Sequence, residues 1–597
     1  MADIEIQNER VDDLPLLIGQ QQKMGIAEII DGIINPHWRR QGLSVGQTIG
    51  AWLAFILSES DHRLSYVEPW VATHLETLKR LINPELTIQD FNDDRLGDVL
   101  RYLSDDDSWT AIERALGQRI IRVYQLPQEC VRLDSTSVSV YHDPEGTALI
   151  RYGHSKDHRP DLAQLKVMLA SLDPVGGPLV TQVVSGNRAD DGLYIPAIDE
   201  ARAVLGQRGL LYVGDSKMEA LSTRAHLVVG GDYYLTPLSL KGSQAELLAE
   251  LVQTALTEEQ KLIDVYQEPD EEQERRLIAQ GYETSRPQAE MVGPELVEWT
   301  ERVLVIYSPS LAQSGYRGLQ GRLQRAEEKL GALTPPPGRG QRQYEELAPL
   351  QAEVEAILQQ HRVADLLQVA YERQVSQRQV RQYKDRPARV EEKVRYQLHL
   401  SRNEAAIEAQ FQTMGWRLYV LNVPADQFSL AQAVLAYRGA PNIERLFSRL
   451  KNRPLGLRPV YLHREDHLTG LVRLLSLALR LLTLTEFVVR RSLETEKEGL
   501  AGLYPGNPKQ QTYRPTTERL LAAFKEITLS LVQLPGQTIV HITPLTPLQS
   551  RILKLLDLPT SIYTDLAANI LPNPPYSSIY YRKIGYVADF DSKPPTY

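Results

Sequence analysis

The chain carries one cysteine, Cys130, in 597 residues. A single thiol cannot close an internal disulfide, which points to a reducing, cytoplasmic setting. A secretory h-region is missing as well. The opening residues, MADIEIQNERVDDLP, mix acids with scattered apolar positions and do not read as a signal peptide. No long run is free of charge. The most apolar stretch, LTGLVRLLSLALRLLTLTEFVV, holds Arg473 and Arg480 near its middle. Each would cost about 2.5–3.5 kcal/mol at a bilayer centre, so a buried helix and no membrane partner are expected. GxxxxGK(S/T) and HExxH are both lacking, which removes a P-loop and a zincin site. The lone cysteine removes a Cys-rich zinc site. No internal repeat of solenoid period is found.

What is present is ordinary in bulk and uneven in detail. Apolar residues at 42% and charged residues at 24% exclude global disorder. At roughly 150 residues per domain, the length predicts about three or four structural units. The net charge of −10 gives no hint of a nucleic-acid partner, yet residues 371–402 hold nine Lys/Arg against four acids. Residues 438–464 hold seven against one, Glu444. Basic segments in an acidic chain can bind phosphate, although solvated helix faces have the same composition.

Residues 1–125 predict a helical region, with apolar positions three and four apart in QKMGIAEIIDGII, LSVGQTIGAWLAFILSE and DSWTAIERALGQRI. Residues 126–240 change texture. ECVRLDSTSVSVYH, AQLKVMLASLD and PLVTQVVSGN read as strands, the last two joined by PVGG as a hairpin. DGLYIPAIDEARAVLGQ reads as a helix, GLLYVGDSK as a strand, and HLVVGGDYYLTPLSL supplies a further strand. Three strands, helix, strand, helix, strand is the order of a ribonuclease-H-like α/β core. Residues 241–425 read as an α+β insertion, in which two helices flank TPPPGRG as a hairpin. Residues 426–500 return to helix and complete the core. Residues 501–597 form a helical C-terminal region ending in a Pro/Tyr-rich tail.

Two acids sit where a strand should be apolar. Asp134 lies within VRLDSTSVSV and Asp215 ends LLYVGDSK. Burying a carboxylate there is costly unless it is paired or metal-bound. Asp143, Asp157 and Asp161 read as solvated loop acids. Glu444, Ser448 and Lys451 share one helical face by the i, i+4, i+7 rule. His154 and His158 have the spacing of a helical metal pair, but SKDHRP reads as loop, and phosphate contact by Lys156, His158 and Arg159 is the better expectation.

On these residues the chain resembles a DDE transposase of a bacterial insertion sequence. The group concerned has a Y-(2)-R-(3)-E-(6)-K signature and a β-rich insertion before its catalytic Glu. Tyr437, Glu444 and Lys451 match the spacing, and Ala440 stands in the Arg position. HSKDHRPDLAQLK, residues 154–166, is similar to the segment after the first Asp in one branch of that group. The resemblance spans about residues 10 to 535. It implies that Asp134, Asp215 and Glu444 are catalytic and hold two Mg²⁺ ions, with Mn²⁺ as a substitute. It implies cleavage of double-stranded DNA at transposon ends and strand transfer into a target, cut-and-paste with hairpin ends, with the helical region 1–125 binding the DNA ends. A homodimer on paired ends, nucleoid-associated when bound to DNA, goes with it. Tyr437 and Lys451 would contact phosphates, with Arg438 or Arg445 replacing the missing Arg. Within the insertion, Arg378, Arg381 and Lys384 are expected on a DNA-contacting surface. The alternative is a domesticated, non-cutting DNA-binding descendant, to which Ala440 alone points.

Overall fold

A computed structural model of the chain describes residues 5–568, apart from 38–39, 142, 258–259, 268–274, 339–340, 382–386, 388 and 535–536. The Pro/Tyr-rich tail and Lys384 therefore lie outside the described residues. Two units are formed: one from residues 1–234, 291–297 and 438–597, the other from 235–290 and 298–437.

The first unit begins with a strand where helix was expected. β1 (Glu5–Arg10) pairs antiparallel with Thr528–Leu534, and that strand pairs with Gln537–Ile542. EIQNER has no helical apolar face; its partner lies more than 500 residues downstream and overrides local preference. Helices follow, among them Leu14–Met24, Val45–Glu59, Asp93–Ser104 and Asp106–Tyr124. The Val45–Glu59 helix starts at a Ser44–Gln47 capping box and buries Ile49, Trp52, Leu53 and Ile56. It is a core segment.

The region after residue 126 has the expected order. β2 (Cys130–Ser139), β3 (Gln164–Asp173) and β4 (Gly177–Ser185) are antiparallel neighbours. Helix Tyr194–Leu205 leads to β5 (Leu211–Gly214), which lies parallel to β2, and helix Leu221–Val229 leads to β6 (Tyr233–Pro237). Strand order in this part is β4-β3-β2-β5. The chain re-enters the unit as helix Pro441–Lys451 and then the long helix Glu465–Glu496. The long helix is buried on nearly every side, and its two arginines are satisfied inside the protein. Arg480 donates to the Pro178 carbonyl at 2.8 Å and pairs with Glu113. Arg473 donates to the Leu103 carbonyl at 2.9 Å and pairs with Asp106. Gly470 lets the helix touch the Leu100 carbonyl, where a Cβ would collide. Among the described residues, no helix is long and apolar enough to cross a membrane.

In the second unit, β7 (Ile263–Gln267), β8 (Arg276–Val292), β9 (Glu295–Tyr307) and β12 (Trp416–Leu421) join β6 in the order β6-β12-β9-β8-β7. Helices Pro309–Leu333 and Leu347–His361 form the anticipated hairpin. Leu319, Leu323, Ala326 and Leu330 pack against Leu350, Val354 and Leu358. The same core takes in Leu367 and Leu398 from a two-stranded ribbon, β10 (Leu367–Val380) with β11 (Arg389–Arg402). The described strands of the basic segment, up to Val380 and from Arg389, thus belong to an antiparallel ribbon. Its apolar side is covered at the base only; farther out, Val375 and Val390 are 47% and 57% exposed.

Candidate active site

The site is set by one register. In the parallel pairing of β2 with β5, Leu133 stands opposite Gly214, so the residues that follow, Asp134 within β2 and Asp215 just past β5, emerge at the same level. Each is then fixed locally. Asp134 Oδ1 accepts from the Ser135 backbone N–H at 2.7 Å. Asp215 Oδ1 accepts from the Tyr194 hydroxyl at 2.6 Å and from the Lys217 backbone N–H at 2.9 Å. The Tyr194 helix is therefore the element that orients the second acid.

Electrostatically the two carboxylates strain one another. Burial pushes the Asp134 carboxyl above the usual range; Lys156 opposes the shift and the charge of Asp215 adds to it. Burial, with Asp215, Asp134 and Asp190 nearby, holds the Tyr194 phenol well above its ordinary value, so its hydroxyl stays a donor. A half-buried like-charge pair of hard oxygen ligands is the donor set that divalent cations prefer.

A third acid, Asp190, belongs to this neighbourhood and carries no strand or motif signature of its own. Lys166 pairs with it at 2.6 Å and Lys156 lies 3.7 Å away. Burial alone would raise its pKa; the Lys166 hydrogen bond and the charges of Lys156, Lys166 and Lys217 outweigh that and lower it. The signal in the sequence was Lys166 itself. A lysine inside the apolar strand AQLKVMLASLD needs an acid partner.

Glu444 stands on the first turn of helix Pro441–Lys451, which packs against β2 and the long helix. Ile443, Leu446, Phe447 and Leu450 form the buried face, while Glu444 is exposed. Among the described residues its carboxylate has no hydrogen-bond or ion-pair partner. Glu465 and Asp466, the other acids nearby in sequence, are engaged elsewhere. Glu465 caps the Leu149 backbone N–H at 3.1 Å and Asp466 pairs with Arg464 at 2.5 Å. Three arginines gather on one buried acid of the long helix, Glu486, and two of them dock the Glu444 helix there. Arg445 reaches it at 2.8 Å, Arg449 at 2.6 Å and Arg490 at 2.8 Å. Among the described residues, no three His, Cys, Asp or Glu side chains are arranged to hold a metal ion. The structure brings together Asp134 and Asp215 and adds Asp190 to their surroundings; Glu444 stands on a helix packed against the strand that bears Asp134.

Several of the expected phosphate contacts face inward. Lys451 is buried and pairs with Asp157 at 2.8 Å; Arg458 joins the same acid at 2.9 Å. Burial lowers the Lys451 pKa and Asp157 opposes that. Asp157 is thus a half-buried clamp and not a solvated loop acid. Lys156 points at Asp134. His158, exposed at φ 56, lies in a turn-containing loop and not on a helix, so it does not form a helical pair with His154. Arg159 pairs with Asp161 at 2.6 Å and lies over the Tyr141 ring. Arg445 is half-exposed beyond its Glu486 pair, and Arg438 is exposed. Ala440 occupies the N-cap position before Pro441. In the second unit, the Tyr437 ring packs on Tyr419 with centroids 4.6 Å apart. Arg378 stands opposite Glu391 in the ribbon register, and Arg381 is exposed.

Comparison with known proteins adds the family. The family model described as "Transposase DDE domain" matches residues 126–481, and a "Domain of unknown function (DUF4277)" matches residues 6–113. No curated protein matches the chain. Among solved structures, a piggyBac transposase synaptic complex with hairpin DNA is similar at 10% identity, covering 97% of this chain and 92% of that one, with a TM-score of 0.32. The DDE-domain match takes in more than half of the sequence and encloses Asp134, Asp215 and Glu444, and the chain belongs to the DDE transposase family.

Proposed function

We propose that the first unit holds a ribonuclease-H-like core that cuts double-stranded DNA at transposon ends and joins them to a target, using Asp134, Asp215 and Glu444. The observation that carries this is the β2–β5 register, which sets two half-buried aspartates at the same level, Asp134 within β2 and Asp215 just past the end of β5. Enzymes of this family use divalent ions, and the paired carboxylates of Asp134 and Asp215 have the donor chemistry that hard cations prefer. Two hard carboxylates repel one another, and a third, Glu444, stands uncommitted on a helix packed against the strand that bears Asp134. Mg²⁺ is the ion we assign, with Mn²⁺ as substitute. When bound, the ions supply an activated oxygen nucleophile and charge neutralisation at the phosphodiester.

The chain's own residues do the positioning. Tyr194 holds one oxygen of Asp215, and the Ser135 N–H holds one of Asp134. The Arg–Glu486 cluster fixes the helix that presents Glu444. Arg159, Arg438 and Arg445 supply positive charge around the first unit's site, with His158 as a hydrogen-bonding side chain, and Tyr437, Arg378 and Arg381 a DNA-facing surface in the second; Lys384, assigned to the same role from the sequence, lies outside the described residues. Cut-and-paste transfer through hairpin ends by a homodimer on paired ends completes the reading. The test is cleavage of a duplex carrying the element's own terminal repeats, with Mg²⁺ and with chelator. Hairpin products on a denaturing gel support the full pathway, and nicked or linear ends without hairpins remove that step.

A further inference from the structure

Asp134 already has a cation beside it. Lys156 leaves the loop between β2 and β3, where its backbone N–H donates to Ser137 Oγ at 2.8 Å. Its ammonium then turns inward, donating to the Ser135 carbonyl at 2.7 Å, to Ser135 Oγ at 3.0 Å and to Asp134 Oδ1 at 3.3 Å. Those three acceptors match the three protons of an ammonium. On the far side stands Asp190 Oδ2, 3.7 Å from the same nitrogen. Asp190 is itself immobilised. Its other oxygen is held by Lys166 at 2.6 Å, and Lys166 is tied to the Arg188 carbonyl at 2.6 Å.

One ammonium therefore lies between two carboxylates, one of them a ligand in the proposed metal site and the other fixed outside it. A divalent ion on Asp134 would stand within a few ångströms of this positive charge and repel it. A lysine side chain is long and flexible enough to give way, and the short remaining distance to Asp190 gives it a carboxylate to retreat to. Its side chain is only 27% exposed, which suits a resident counter-ion better than a phosphate ligand.

Resting on the metal-site reading above, we propose that Lys156 is the placeholder cation of Asp134 in the metal-free protein, a positioning residue that withdraws to Asp190 as a divalent ion enters. Ion binding is then an exchange of one cation for another. Lys156 and Asp190 set the affinity without being ligands.

The experiment titrates the metal-stripped, full-length protein with Mn²⁺ and follows the free ion by electron paramagnetic resonance, without DNA and without turnover. Lys156→Met should bind Mn²⁺ about tenfold more tightly, equivalent to about 1.4 kcal/mol. Lys156→Arg, which keeps the charge, should stay near wild type. Asp190→Asn should bind several-fold more weakly, because Lys156 then has no second partner and keeps its hold on Asp134. Opposite signs for Lys156→Met and Asp190→Asn cannot come from general loosening of the fold. If both variants bind as wild type does, or shift in the same direction, while Asp134→Asn abolishes binding, the exchange is wrong and the metal site stands. If Asp134→Asn binds as wild type does, the metal site is wrong and the exchange goes with it.

Discussion

Glu486 gives the sharpest prediction about how the Glu444 helix is held. It is buried on the long helix and gathers Arg445 at 2.8 Å, Arg449 at 2.6 Å and Arg490 at 2.8 Å. Replacing it with Gln keeps the volume and removes the charge. Arg449 is then the weak point, because its side chain is 8% accessible and retains only Glu518 at 3.0 Å. Removing one partner of a buried ion pair costs about 3–5 kcal/mol. The surviving Glu518 pair and the solvent reach of Arg445 reduce that to about 2–3 kcal/mol for docking of this helix. At about 1.4 kcal/mol per decade, amide protection across residues 441–451 should fall about 30- to 140-fold. Hydrogen exchange read by mass spectrometry on peptides from this helix and from β2 makes the comparison. The reasoning requires faster exchange in the helix, little change in β2, and lower cleavage. Unchanged protection in the helix would refute it, since the arginine cluster would then not be what fixes Glu444.

Asp13 predicts a pH dependence unrelated to catalysis. Burial pushes its carboxyl up to about 7, opposed by the 2.7 Å hydrogen bond from Ser58. A folded pKa above the unfolded one means that its stabilising contribution is present at low pH and is lost as pH rises from about 4 through 7. At about 1.4 kcal/mol per pKa unit the loss is at most about 4 kcal/mol, and Asp13→Asn should flatten the fall in thermal stability between pH 5 and pH 8; equal slopes for the two proteins would count against it. For the ribbon, joint substitution of Arg373, Arg378 and Arg381 should reduce the slope of log K for end-binding against log salt by about 0.9 for each phosphate that is no longer neutralised. An unchanged slope would return that surface to solvent or to a protein partner.

The parts legible in the sequence are those with short-range causes. Val-rich strands, PVGG and the apolar run before Asp215 produce the order β2 to β6 because each element carries its own periodicity. Arg473 and Arg480 inside an apolar helix foretell burial, although not that Glu113 and Asp106 meet them. What escapes depends on distant partners. EIQNER is a strand only because residues 528–534 lie beside it. QRQV, residues 377–380, reads like a solvated helix because its ribbon buries apolar side chains only at the base. The loop SKDHRP reads as facing DNA, but Asp157 and Lys156 turn inward to Lys451 and Asp134, and no local spacing encodes that. Glu444 matches a family spacing, yet its alignment with the two aspartates is a tertiary property that spacing does not carry.

The most direct test of the central claim is Mg²⁺-dependent cutting of labelled DNA carrying the element's ends, run beside a binding measurement on the same DNA. Wild type, Asp134→Asn, Asp215→Asn and Glu444→Gln should all bind the ends with similar affinity, because affinity rests on many phosphate contacts. Only wild type should cut, and chelator should abolish its cutting. Cleavage at wild-type rate by any of the three variants, or loss of binding in step with loss of cutting, would contradict the assignment of these carboxylates as the catalytic metal ligands.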